Sequence, residues 1–165
     1  MAIEVLPNVF QIKVPLPKSP LKELNAYLLK GKNKHLLVDN GFNLEECRRA
    51  LLKGINDLGV ELEELDFFLT HVHADHSALI YNLVNDESIV YFSAKDAEVF
   101  NEVIKPSYSL RINEILLENG FQKSLESMAP SKRFFDNNRE LNFHLLNDGD
   151  NISVGGYNFT CLLTP

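Results

Sequence analysis

The sequence contains no tryptophan, only two methionines and only two cysteines. Two cysteines cannot build the disulfide framework of a small secreted domain, and neither Cys47 nor Cys161 belongs to a C-x-x-C motif. We therefore expect both to be thiols of the core.

Basic residues are also scarce, since 16 Lys and Arg against 23 Asp and Glu give a net charge of -7. This balance argues against nucleic acid as a partner, because phosphate backbones attract basic proteins.

Long hydrophobic runs are absent as well. No stretch of the sequence approaches the roughly twenty apolar residues of a membrane helix. The start of the chain lacks the basic and apolar regions of a signal peptide. We therefore expect a cytoplasmic protein with no membrane partner. A length of 165 residues and a hydrophobic content of 45% suit one globular domain, residues 1–165.

Short apolar segments predict a set of strands. Residues 9–14 alternate apolar and polar side chains, as a half-buried strand does. Other apolar runs predict strands at residues 26–29, 36–38, 66–70, 89–92, 143–146 and 157–163. Strands that alternate with helices indicate an α/β layered fold.

Apart from a short helical segment from Ser77 to about Asn85, helical periodicity predicts two helical regions. The first begins at Asn43, which would be its N-cap, with Glu46 placed to complete a capping box. The second is a helical insertion at about residues 94–137, with breaks at Pro106 and Gly120.

Three of the five histidines fall within six residues, in the run HVHADH at residues 71–76. Side chains two apart in extended backbone point the same way, so His71 and His73 can converge on one metal ion. Asp75 and His76 follow where the chain bends towards a helix, and they can serve a second ion nearby. Imidazole and carboxylate are common ligands of divalent metals, and two such ions can activate water for hydrolysis.

HVHADH matches the HxHxDH motif, and the chain resembles the metallo-β-lactamase-fold hydrolases. Residues 37–41 resemble the D-x-G element of that family, with Asn40 where threonine is common. Residues 66–70 resemble the strand that delivers the motif. The turn at residues 147–150 and the segment 159–165 resemble the approach to the next ligand histidine.

This resemblance implies a metallo-β-lactamase-like αββα sandwich, with the N-terminal half and the first strands of the second half in this chain. It implies four metal ligands: His71, His73, Asp75 and His76. Asp75 would also be the catalytic residue that orients the water, and Asp39 would support the site without binding an ion. The cofactor would be two divalent ions, zinc in the first place, with iron or manganese left open.

The resemblance also implies that further ligands would follow Pro165. We therefore expect a truncated chain whose dinuclear centre is incomplete and whose metal is weakly held or absent. Strand surface left uncovered would favour a homo-oligomer.

The leading functional hypothesis is a hydrolase that uses a metal-bound hydroxide on a small-molecule ester, thioester or lactone, although the truncated chain could lack activity. One alternative is an iron-dependent oxidoreductase of sulfur compounds with the same fold. Flavin-linked relatives of that kind usually carry Glu where this chain has His73. Another alternative is a non-catalytic interaction domain.

For the other polar residues we favour structural roles over metal binding. His35 is expected to be a surface residue beside a hairpin. His144 lies on a predicted strand, and we weigh it only as a minor candidate for a substitute ligand. Asp148 and Asp150 are expected to form a turn, since Asp-Gly is a turn dipeptide.

Overall fold

The computed structural model describes residues 2–103, 105–121 and 141–164. Seven strands form one mixed sheet whose spatial order follows the order of the sequence, and two more strands pair as a separate hairpin. The strands are β1 Ala2–Leu6, β2 Val9–Pro15, β3 Glu23–Leu29, β4 His35–Val38, β5 Leu65–Phe68, β6 Val90–Ser93, β7 His144–Leu146, β8 Asn151–Val154 and β9 Tyr157–Thr160. The helices are α1 Glu45–Asp57, α2 Ala74–Ser77, α3 Ala94–Val103 and α4 Pro106–Glu118, with 3₁₀ turns at Leu62–Glu64 and Ala78–Asn82.

The directions of the strands bring several strand ends to one edge of the sheet. Strands β1 to β4 pair antiparallel, whereas β4 to β7 pair parallel. The register aligns Val38 of β4 with Phe68 of β5, and Phe68 with Tyr91 of β6. The carboxyl ends of the parallel strands therefore meet at the same edge, where α/β sheets place their ligand sites.

Helix α1 packs on one face of the sheet at very short range. It buries Cys47, Leu51, Gly54 and Ile55, which recur at the spacing of one helical face. A Cβ added at Gly54 would lie 2.5 Å from Cγ2 of Ile12 in β2. Glycine therefore allows the helix to approach the strand as closely as it does.

An aromatic cluster joins helix α3 to the same core. The ring of Phe100 stands edge-on to Phe92 of β6 and to Phe143, with centroids 6.0 and 5.5 Å apart, and it stacks on Tyr81 at 5.6 Å. Burial raises the pKa of Tyr81 to about 12. Helix α3 is thus tied to the sheet by edge-to-face and stacked ring contacts.

The opposite face of the sheet meets the β8–β9 hairpin and forms an apolar groove. The groove has a volume of about 390 Å³ and is lined by side chains that include Leu29, Leu36, Phe68 and Ile152. Leu162, also on its wall, is 77% exposed. The sequence predicts uncovered strand surface, but Leu29, Leu36 and Ile152 in this groove are buried, and its exposed wall includes Leu162. Self-association through this groove stays a prediction, which sedimentation velocity would test.

The predicted elements agree with the structure over most of the described chain, with two omissions and one error. Strands β1 and β8 had no prediction. The expected capping box at Asn43 is wrong, because α1 begins after Leu44 and no side chain in the described part of the chain caps it. The side-chain carbonyl of Asn43 instead accepts a hydrogen bond from the Asn82 amide at 2.6 Å.

The predicted helical insertion at residues 94–137 contains α3 and α4. Pro106 is the first residue of α4, and Gly120, with a φ of +82°, follows its end. Residues 122–137 lie outside the described residues, so that part stays a prediction. Among the described residues, no helix combines the length and the apolar character needed to cross a membrane.

Candidate metal centre

The loops that leave β4 and β5 interlock at the carboxyl edge of the sheet. Beyond β4, the amide of Asp39 donates to the Phe68 carbonyl at 3.0 Å, and the amide of Asn40 donates to the His76 carbonyl at 2.9 Å. Asp39 has a φ of +57°, a left-handed conformation that Asp tolerates better than most residues. This conformation turns the chain sharply while the Asp39 side chain, 7% exposed, stays among the histidines of the next loop.

Asn40 and Gly41 complete this turn. The Asn40 side chain accepts a hydrogen bond from the Leu79 amide at 2.9 Å, which a threonine hydroxyl could also do. Its buried Nδ2 has no hydrogen-bond partner among the described residues. A Cβ at Gly41 would lie 2.8 Å from the Val14 side chain, and the φ of Gly41 is +109°. The D-x-G element, residues 39–41, therefore provides the backbone conformation of the turn as well as the Asp39 carboxylate.

The first pair of candidate ligands is His71 and His73. Nε2 of His71 lies 3.1 Å from Nδ1 of His73. Two imidazole nitrogens bound tetrahedrally to one zinc ion lie about 3.3 Å apart. The two rings thus present one nitrogen each at a separation that suits a shared ion.

Asp75 and His76 form the second pair, on the short helix α2. Nε2 of His76 lies 3.8 Å from Oδ2 of Asp75, and the His76 ring centroid is 4.1 Å from that of His71. The two pairs are therefore adjacent.

Asp39 organises both pairs through hydrogen bonds. Its Oδ2 lies 2.7 Å from Nδ1 of His76 and accepts a hydrogen bond from the Thr70 hydroxyl at 2.8 Å. Its Oδ1 accepts from the Thr70 amide at 2.9 Å. The hydroxyl of Thr70 in turn lies 3.0 Å from Nδ1 of His71.

The surroundings move the pKa values of two of the histidines in opposite directions. Burial, assisted by the charges of His76 and His73, lowers the pKa of His71, and the charges of Asp39 and Asp75 offset only part of this effect. Burial also acts to lower the pKa of His76. The hydrogen bond and charge of Asp39, together with the charge of Asp75, outweigh that effect and raise the pKa of His76.

Two side chains that the sequence analysis did not select hold the backbone between the histidines. The carboxylate of Asp96, in the first turn of α3, accepts a hydrogen bond from the Val72 amide at 3.1 Å. The Ser77 hydroxyl is 3.0 Å from each of the carbonyl oxygens of Val72 and His73. Ser93-x-x-Asp96 matches a capping sequence, which signals the start of α3 but not the contact with Val72.

The remaining candidate residues lie away from this cluster or have other partners. His35 was expected on the surface, which is wrong: it is 8% exposed, and its Nδ1 accepts a hydrogen bond from the Gly31 amide at 3.0 Å. His144 stands edge-on to the Tyr91 ring, with centroids 5.0 Å apart. Asp150 accepts the amide of Asn147 within the turn, as expected of a turn residue.

The two cysteines differ in their surroundings. Cys47 is a buried core thiol, as expected, with its Sγ 3.1 Å from the Pro15 carbonyl oxygen. Cys161 is only half-buried and borders the apolar groove. Both are free thiols.

The donor set fits two metal half-sites. Its imidazole nitrogens and carboxylate oxygen suit zinc, iron or manganese. Across residues 2–103, 105–121 and 141–164, no group of three or more His, Cys, Asp or Glu side chains is placed to hold a single ion. The assignment of the four ligands and of Asp39 stays a prediction.

A cleft of about 390 Å³ borders the cluster at the same edge. Polar and apolar groups line it in similar measure, and Thr70, His71, Ser93, Asp96 and Asn147 are among the polar ones. The apolar groove on the far face, by contrast, contains none of the candidate ligands.

Solved structures share this architecture along almost the whole chain. A metallo-beta-lactamase family protein of Thermus thermophilus is 25% identical with a TM-score of 0.75, over 98% of this chain and 53% of that one. A beta-lactamase domain protein of Burkholderia ambifaria is 20% identical with a TM-score of 0.70, over 96% of this chain and 48% of that one. The chain therefore spans about half the length of the structures that it matches.

Sequence comparison points the same way. The anti-Pycsar protein Apyc1 of Bacillus phage vB_BsuM-Goe3 is 45% identical over 56 residues, which are 32% of this chain and 22% of that protein. The family model described as the metallo-beta-lactamase superfamily matches residues 22–108, more than half of this chain. Because the match includes Asp39 and all of residues 71–76, and the fold agrees with that of the solved structures, the chain belongs to the metallo-beta-lactamase superfamily.

Proposed function

We propose that this protein is a metal-dependent hydrolase that acts on a small ester, thioester or lactone. The observation that carries the proposal is the convergence of two donor pairs at the carboxyl edge of the sheet. His71 and His73 approach within 3.1 Å, and Asp75 and His76 within 3.8 Å. Membership of the superfamily supports a metal-dependent, hydrolase-like function.

The chemistry that these residues support is the activation of water beside a polarised substrate. Divalent ions, when bound, lower the pKa of a water molecule and polarise a substrate carbonyl or phosphoryl oxygen. His71 and His73 would hold one ion, while Asp75 and His76 would hold the other. The free oxygen of Asp75 would accept a hydrogen bond from the attacking water and orient it.

The surroundings favour a small substrate. The cleft beside His71 has about the volume of a small-molecule site and mixes polar with apolar lining. The net charge of -7 disfavours a polyanionic substrate. Esters, thioesters and lactones satisfy both conditions, since each has a neutral carbonyl as its reacting group.

Activity and metal content should be measured on the same samples. The 165-residue chain would be loaded with zinc and assayed against thioesters, lactones and phosphodiesters. We expect carbonyl substrates to be cleaved and Asp75→Asn to lower kcat by at least about a hundredfold, the range of general acid–base contributions. His73→Ala should lower both zinc content and activity, whereas His144→Ala, outside the cluster, should change neither.

Two outcomes would overturn the proposal. One is a protein that binds two zinc ions and cleaves none of the substrates, which would favour a non-catalytic interaction domain. The other is an iron-loaded protein that oxidises sulfur compounds while the zinc-loaded form stays inactive, which would favour the redox alternative.

A further inference from the structure

The hydroxyl of Thr70 bridges a carboxylate and a histidine. Its Oγ1 lies 2.8 Å from Oδ2 and 3.0 Å from Oδ1 of Asp39, and 3.0 Å from Nδ1 of His71. The Thr70 amide also donates to Oδ1 of Asp39, at 2.9 Å. Thr70 is therefore bound to the same carboxylate through both its backbone and its side chain.

The number of available protons determines the direction of these hydrogen bonds. An ionised carboxylate only accepts, and a hydroxyl has a single hydrogen to donate. Thr70 therefore donates to Asp39, and its Oγ1 is left to accept a hydrogen bond from Nδ1–H of His71. A neutral imidazole with its hydrogen on Nδ1 carries its lone pair on Nε2. Nε2 of His71 is the atom that faces His73 at 3.1 Å.

The same carboxylate acts directly on the second pair. Oδ2 of Asp39 lies 2.7 Å from Nδ1 of His76 and accepts its hydrogen. In the neutral ring, Nε2 of His76 is then free of hydrogen, and it is the atom that faces Asp75. One buried carboxylate thus orients a histidine of each donor pair, His76 directly and His71 through Thr70.

We propose that Thr70 is a positioning residue. It connects the Asp39 carboxylate to His71 through hydrogen bonds and so holds His71 in the tautomer with hydrogen on Nδ1. Its hydroxyl keeps the lone pair of His71 Nε2 available to bind a metal ion, even in the metal-free protein. The consequence for metal affinity rests on the proposed function, whereas the tautomer itself does not. Hydrogen bonds of this kind to a ligand histidine are worth about 10–100-fold in metal affinity.

The tautomer can be read directly in the metal-free protein. Histidine labelled with ¹⁵N, observed by two-bond ¹H–¹⁵N correlation at about pH 9, well above the ordinary histidine pKa, reports which nitrogen carries the hydrogen. We expect the Nδ1–H form of His71 in the wild type and in Thr70→Ser, which keeps the hydroxyl. Thr70→Val keeps the shape but loses the hydroxyl, and it should shift His71 towards the Nε2–H form.

Thr160→Val is the matched control, since the Thr160 hydroxyl donates to the Asn151 side chain within the β8–β9 hairpin. Thr70→Ala replaces Thr70→Val in the experiment if the valine variant does not fold. A His71 tautomer that is the same in Thr70→Val or Thr70→Ala as in the wild type would overturn the proposal. So would a wild type in which His71 already carries its hydrogen on Nε2.

Zinc affinity, measured by competition with a chromophoric chelator, separates this proposal from the proposed function. We expect Thr70→Val to bind zinc about 10–100-fold more weakly than the wild type and Thr70→Ser to restore most of the affinity. A wild type that shows the Nδ1–H tautomer but binds no zinc would contradict the proposed function. It would not contradict the proposal that Thr70 fixes the tautomer of His71. Full affinity in Thr70→Val, with a changed tautomer, would overturn the consequence proposed for the metal.

Discussion

Oδ2 of Asp39 and Nδ1 of His76 lie 2.7 Å apart, across 37 residues of sequence. The contact joins the turn after β4 to helix α2, which follows β5. It forms because parallel pairing aligns the ends of the two strands, so that one carboxylate reaches the loop of its neighbour. The position of the carboxylate is thus a property of the sheet as much as of the loop.

Replacing Asp39 with Asn should weaken this connection without disturbing the turn. Asn tolerates a positive φ, but its side chain has one acceptor oxygen where Asp has two. We expect a loss of about 1–3 kcal/mol in the free energy of unfolding, because a buried donor loses its partner. Zinc affinity should fall by about 10–100-fold.

Asp66→Asn is the control for the Asp39 variant. Asp66 lies on β5 and accepts the Ile89 amide at 2.9 Å, outside the histidine cluster. Chemical denaturation and chelator competition would compare the two. Equal losses of zinc affinity in both variants would contradict the assigned role of Asp39.

Removing the Asp96 carboxylate should release the backbone between His71 and His73. The Val72 amide would lose its acceptor, and Ser93 would lose the partner that it contacts at 2.6 Å. In Asp96→Ala we expect hydrogen exchange of the Val72 amide to accelerate by about tenfold, the equivalent of about 1.4 kcal/mol. Glu98→Ala, an exposed site on the same helix, should leave that amide unchanged. Unchanged exchange in Asp96→Ala would show that the contact is not held in solution.

His35 should make stability depend on pH. Burial lowers the pKa of His35 in the folded protein, the charge of Glu64 offsets part of this effect, and the nearby charge of Lys30 adds a smaller lowering. Between that lowered pKa and the unfolded value of about 6.5, the unfolded chain binds more protons, so acid favours unfolding. The contribution of His35 is therefore full above about pH 6.5 and is lost as the pH falls towards the folded pKa.

Denaturant titrations from neutral to acidic pH would test this effect. The stability of the wild type relative to His35→Gln should decrease as the pH is lowered. His144→Gln, at the exposed histidine of β7, serves as the control. A wild type and a His35→Gln variant whose stabilities fall in parallel would contradict the prediction.

Gly54→Ala should destabilise the protein although alanine favours helices. In an ordinary helix this change gains about 0.5–1 kcal/mol. Here the new Cβ would lie 2.5 Å from the Ile12 side chain, and overpacking of this kind costs about 1–3 kcal/mol. A double-mutant cycle with Ile12→Ala should show that the two changes are coupled, because the smaller residue removes the clash. Additive effects would mean that helix and strand have room to separate.

The sequence predicted best those features that depend on residues close together in the chain. Prolines, glycines and apolar periodicity located most strands and helices of the described chain, because these preferences act within a few residues. The D-x-G and HVHADH segments are also continuous in sequence, so their likeness to the family indicated the fold without any tertiary information. The capping box at Asn43 was a local inference that failed, since the side chain found a partner 39 residues away in Asn82.

The tertiary structure decided which distant groups meet. It brings Asp96 of α3 to the Val72 amide, buries His35 within the fold and places Thr70 between Asp39 and His71. None of these contacts has a periodic or spacing signal, because each depends on the register and parallel direction of strands far apart in the chain. The sequence by itself determined which donors are available, whereas the sheet determined how they are paired and oriented, because only strand pairing fixes distances between separate loops.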